Sequence, residues 1–141
     1  MAIVEAPEAF LFQRLTSQTS VYTLIGTRVF PMMAPTGTAL PLVIYQRSAV
    51  SRQQSLSGPV GLPVVTLQLT SYASSYTAVK SIARAVRVAV DGWTGTTSGV
   101  TIQRTSLQAE SDGMVLPQDD QSLPVYSVDQ TFDFRIVEAM Q

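Results

Sequence analysis

The sequence contains no cysteine and no histidine. Without thiols there is no disulfide framework, no thiolate nucleophile and no thiolate zinc site. Without imidazole the commonest general base and the commonest transition-metal ligand are gone as well. Carboxylates, hydroxyls, arginines and a single lysine, Lys80, remain for chemistry, and the chain is read as a non-enzyme with no cofactor and no metal. Charge is also scarce: 13% of residues are charged and the formal net charge is −1, so there is no broad basic face to grip nucleic acid. No apolar run approaches the roughly 20 residues that cross a bilayer. The N-terminal stretch carries Glu5 and Glu8 where a secretion signal carries positive charge, so no membrane association is expected.

What is present is enough for a core: 45% of the 141 residues are hydrophobic, which fits a single domain over residues 1–141. "PEAFLFQRLTSQ" places a proline in a first turn and Leu11 and Leu15 four apart, which predicts a short amphipathic helix from Pro7 to Gln18. "SVYTLIG" reads as a second small helical turn closed by Gly26, and "TRVF" as a brief strand. Pro31 and Pro41 punctuate the next stretch, because proline cannot donate to a sheet ladder. Between them "MMAPTGTAL" is a small-residue loop whose Met32 and Met33 suit either a partner surface or the chain's own core.

"LVIYQRSAV" and "PVVTLQLTSYA" read as neighbouring antiparallel strands, the second with Val65, Leu67 and Leu69 on one face. The long connection between them holds Arg52, Gln53 and Gln54 and is a candidate contact loop. "SSYTAVKSIARAVRVAVDGW" is the strongest helix: Ser74 or Ser75 caps it, Val79, Ile82, Ala83, Val86 and Val90 keep the helical period, and Gly92 closes it. Opposite that apolar face, Lys80, Arg84 and Arg87 form a basic stripe, either a solvated surface or a contact to acids of another subunit, such as Asp129 or Asp133. "GVTIQRTSLQ" is a further strand, and "ESDGMVLPQDDQSLP" is read as a second long loop in which Asp119 and Asp120 are candidate contact residues. Its spacing of carboxylates lacks the alternating pattern that calcium loops need. The last strand, "VYSVDQTFDFRIVEAM", has Tyr126, Val128, Phe132, Phe134 and Ile136 on one face, interrupted by Gln130. The glycines at 92, 95 and 99 follow a helix and precede a strand, the reverse of a phosphate-binding loop. Trp93, just past the helix, reads as a lid on the core.

The expected fold is therefore α+β: an antiparallel sheet of about four to five strands with two main helices packed on one face. In this order, helix, short turn, "LIGTRVF", the loop "APTGTALP" and the strand "LVIYQ" resemble the tail-completion or tail-terminator proteins of long-tailed bacteriophages, and "VVTLQLTSYASSYTAVKSIARAVRVAV" is similar to that family's strand, turn and helix. The resemblance implies a virion structural protein at the head-tail interface, assembled in the host cytoplasm. It implies a hexameric ring that caps the head-proximal end of the tail tube and ends its polymerisation. The implied partners are further copies of the chain, the tail tube protein and the head connector or stopper, while genome DNA passes through the channel without specific binding. The alternatives are a head-completion or connector ring protein on the other side of the joint, and a small ligand-binding α+β domain.

Overall fold

The computed structural model describes residues 6–33, 35, 37–51, 54–55, 58–59, 64–97, 100–115 and 124–137. The chain opens with two helices, α1 (Ala6–Ser17) and α2 (Thr19–Ile25), followed by β1 (Val29–Pro31) and β2 (Leu42–Ser51). A two-stranded hairpin, β3 (Gln54–Ser55) and β4 (Gly58–Pro59), precedes β5 (Val64–Ala73) and α3 (Tyr76–Val90). The chain continues through β6 (Gly95–Thr97) and β7 (Val100–Val115) to β8 (Val125–Val137). Among the described residues the main sheet has six strands in the order β1-β2-β5-β8-β7-β6.

The α+β class agrees with the sequence reading, but among the described residues the sheet is mixed rather than antiparallel, and the short α2, expected as a helical turn, stands beside the two main helices. β1 runs parallel to β2, with Val29 opposite Val43 and Pro31 opposite Tyr45. Parallel neighbours need a connection that carries the chain back along the strand direction, and residues 32–41 provide it. Arg28 fixes its far end by donating from Nε to the Pro41 carbonyl at 2.7 Å. The remaining pairs in the sheet are antiparallel.

A second difference is the length of β7. The segment Glu110–Val115, expected to be loop, continues the ladder with β8 as far as Val115 opposite Val125. β7 and β8 thus form a long arm, bulged between Ile102 and Arg104 and again between Leu107 and Ala109. Each bulge adds one residue to one strand and switches which side chains face the core.

The core lies between the helices and one face of the sheet. Alternation in β5 buries Val65, Leu67, Leu69, Ser71 and Ala73, and opposite them on β8 stand Phe134, Phe132, Gln130, Val128 and Tyr126. From above, α3 contributes Val79, Ile82, Ala83, Val86 and Val90, all buried, and α1 contributes Leu11 and Leu15. β-branched valines disfavour an isolated helix, so this burial, at about 1.5–3 kcal/mol per large apolar side chain, is what keeps α3 helical. Ser75 caps α3 by accepting from the Ala78 amide at 3.1 Å. Gly92 follows its last turn at φ +77°, a backbone that L side chains rarely adopt, and donates its amide to the Thr105 carbonyl on β7.

Gln130 is the largest fully buried polar side chain among the described residues. It is fully buried, and its Nε2 donates to the Ala83 carbonyl of α3 at 2.9 Å and to Glu110 Oε1 of β7 at 3.3 Å. Exchanging its amide O and N would set oxygen against both oxygens, so the orientation is determined by its neighbours. Its own Oε1 has no hydrogen-bond partner among the described residues.

Candidate functional site

The basic stripe of α3 divides in two. Lys80 is engaged within its own chain: Nζ lies 3.1 Å from Asp112 Oδ1, and Tyr76 donates its hydroxyl to Asp112 Oδ2 at 2.7 Å. Lys80 also sits 5.6 Å from the Tyr76 ring centroid, and Tyr76 meets Tyr126 edge-on with centroids 6.3 Å apart. The Tyr76 and Lys80 hydrogen bonds hold the Asp112 carboxyl below its ordinary value, and the bond to Asp112 raises Lys80. This cluster ties the first turns of α3 to the arm, and it exists because Asp112 lies on a strand rather than in a loop. Arg84 and Arg87 are exposed and have no carboxylate within ion-pair distance among the described residues. Beside them Val88 is 69% exposed on the rim of an open groove of about 330 Å³ between α2 and α3, which Leu24 and Ala85 also line.

Asp129 and Asp133 occupy the opposite side of the molecule, on the sheet face that no helix covers among the described residues. Each is half-buried and accepts a hydroxyl from β5, Thr70 to Asp129 and Thr66 to Asp133, both at 2.7 Å. The stripe and these acids therefore cannot meet within one chain.

Two arginines that sequence reasoning did not single out stand beside Asp133. Arg104 of β7 is the direct cross-strand partner of Arg135 of β8, and Val64, Ser106, Gln108 and Asp133 complete a shallow cavity of about 230 Å³ around them. Alternation alone places each arginine on a polar face. Only the register, shifted by the bulge between Ile102 and Arg104, places one opposite the other.

Met32 and Met33 are 70% and 77% exposed, and Met32 has φ +64°. Met32 and Met33 therefore face outward and do not cover the core. Trp93 packs half-buried against the core, with the Arg14 guanidinium 5.5 Å from its ring and Arg14 Nε donating to the Ala89 carbonyl at 2.8 Å. Gln54 belongs to the small hairpin, its backbone paired with Pro59. Arg52, Gln53, Asp119 and Asp120 lie outside the described residues. Among the described residues, no group of three or more acidic side chains is placed to hold a metal ion, and no helix is long and apolar enough to cross a membrane. These features are open, charged or apolar surface, the chemistry of contact between macromolecules.

A family model, Tail completion protein gp17, matches residues 9–136. The chain belongs to the tail-completion protein gp17 family. Membership makes it a phage tail structural protein, one that associates with other phage structural proteins. The same fold occurs in a chain from the virion of a native gene transfer agent (GTA) particle, with a TM-score of 0.76 over 96% of this chain and 99% of that chain at 17% sequence identity. No curated protein matches the sequence. In this gp17 tail-completion chain the surfaces above are the candidate contacts: the Arg84–Arg87 face, the bare sheet face and the methionine loop.

Proposed function

We propose that the chain forms a ring on the head-proximal end of a tail tube, ends tube polymerisation and joins the finished tail to the head. The observation that carries this reading is the tail-completion family match over residues 9–136. The surfaces support it. Arg84 and Arg87 on the helix side, without an ion-pair partner among the described residues, and Asp129 and Asp133 within the bare sheet face suit a head-to-tail contact, and head-to-tail contacts close into rings when the rotation allows. Arg84 and Arg87 of one subunit then face acids of the next, Asp129 among them. At about 0–1 kcal/mol for an exposed pair, such contacts set register more than strength.

The ring is hexameric in this reading, and the connection holding Arg52, Gln53 and Gln54 contacts the tube below or the connector above. A channel that neutralised many phosphates would retain DNA through counterion release, and the net charge of −1 suits a lumen that lets it pass.

The test is electron microscopy of particles made without this gene. Filled heads beside tails of abnormal length, or tails lacking a finished upper end, are the expected result. Normal free tails beside heads that have lost DNA would move the protein to the head side of the joint, and intact infectious particles would overturn the reading.

A further inference from the structure

The cross-strand pair Arg104–Arg135 is the least explained feature of the bare sheet face. Like charges directly opposite each other on a sheet are destabilising, and both side chains are exposed with no ion pair among the described residues. The acid that shares their cavity, Asp133, has one oxygen committed to Thr66. The cavity between them is open, and two guanidinium forks over a strand pair present the donors that bind carboxylates in a bidentate manner.

We infer that Arg104 and Arg135 receive the adjacent carboxylates Asp119 and Asp120 from a second copy of this chain. The inference rests on the ring reading above and names the contact between subunits. Charge complementarity selects the occupant: Asp119 and Asp120 are the only two adjacent acids in the sequence, and they follow β7 at the far end of the arm. Chain length shows that the occupant comes from another copy. From Arg104 to Val115 the strand runs about 35 Å, whereas Asp120, five residues beyond either strand end, reaches at most about 17 Å back. The remaining distance exceeds what the two side chains span. The tip of one arm therefore meets the base of another, a head-to-tail contact that repeats around a ring.

Two sets of variants test this in particles. Arg104→Thr and Arg135→Thr each remove the cross-strand repulsion, so the purified variants should melt at or above the wild-type temperature while losing complementation of the gene deletion. Wild-type complementation by both would overturn the contact and leave the ring reading intact, since the deletion phenotype tests that reading separately. Because the chain has no native cysteine, an Asp120→Cys/Arg135→Cys variant, co-expressed with wild type so that particles form, reports the contact directly. Oxidation should give disulfide-linked dimers and higher species in particles. An intramolecular band only, or no crosslink in particles that contain the variant, would overturn the inference. Loss of function in the threonine variants without any crosslink would assign the arginines to another acidic partner, the phosphates of the passing DNA included.

Discussion

Replacing Gln130 by methionine should stabilise the fold while loosening the arm. Gln130 is fully buried and holds two hydrogen bonds through Nε2, yet its Oε1 is unpaired. Two side-chain hydrogen bonds contribute about 1–3 kcal/mol net, and an unsatisfied buried acceptor costs a similar amount. Those terms nearly cancel. Methionine is unbranched, of similar length and adaptable, and its burial contributes about 1.5–3 kcal/mol. The groups left behind are not stranded, because Glu110 is exposed to water and the Ala83 carbonyl lies within a helix. The expected net effect is about 1–2 kcal/mol of added stability, a rise of about 4–8 °C in melting temperature for a chain of this size. Circular dichroism melts measure the first part, and hydrogen exchange across residues 109–114 measures the second, since Gln130 links that part of β7 to α3. A lower melting temperature in the variant would refute the cancellation, and unchanged exchange at Glu110 would refute the tether.

Two further predictions concern the arm. The Asp112 carboxyl is held below its ordinary value by Tyr76 and Lys80, so its contribution is present above the unfolded carboxylate pKa of about 4 and is lost as pH falls through the lower folded value. Lys80 is raised, so its side of the pair persists below the ordinary lysine value and is lost as pH rises through the raised one. Asp112→Asn should therefore flatten the acid limb of the melting-temperature profile, and an unaltered limb would show that the cluster carries no linkage. Gly113 stands opposite Ser127, and a Cβ there would lie 2.8 Å from Ser127 Oγ. Gly113→Ala should push the Ser127 hydroxyl to another rotamer and change stability by less than about 1 kcal/mol, because alanine also recovers the strand glycine's entropy, and a double-mutant cycle with Ser127→Ala measured by denaturant unfolding should show the two positions coupled.

The parts legible in the sequence are those where burial writes a period. α3 shows its apolar residues at helical spacing and β5 shows strict alternation, because each meets the core on one face. The end of β7 shows neither. Glu110, Ser111, Asp112 and Gly113 are all exposed, and they are strand because β8 offers a continuous ladder to pair with, a long-range cause that leaves no local trace. The parallel direction of β1 depends on the path of residues 32–41, which composition does not encode. Of the candidate contacts, Lys80, Arg84, Arg87, Asp129 and Asp133 were visible as polar positions on a helix or strand, but which of them meet in space was not. Lys80 was expected on a free stripe and instead holds Asp112, 32 residues away. Arg104 and Arg135 escaped notice because a cross-strand pair is a property of register, and two bulges set that register.

The arm also responds to force in a direction-dependent way. Its 16-residue strand β7 is about 54 Å long, and the start of α3 grips it at Asp112, so the last three residues of the strand, Gly113–Val115, extend past that grip. Load applied along the strands stretches many ladder bonds at once and is shared among them. Load that pries the two strands apart at the tip breaks the bonds one after another, up to the point where Lys80 and Tyr76 grip Asp112. A subunit built this way is stiff to tension along its arm and compliant to peeling at its end, and the grip on Asp112 sets where the compliant part stops.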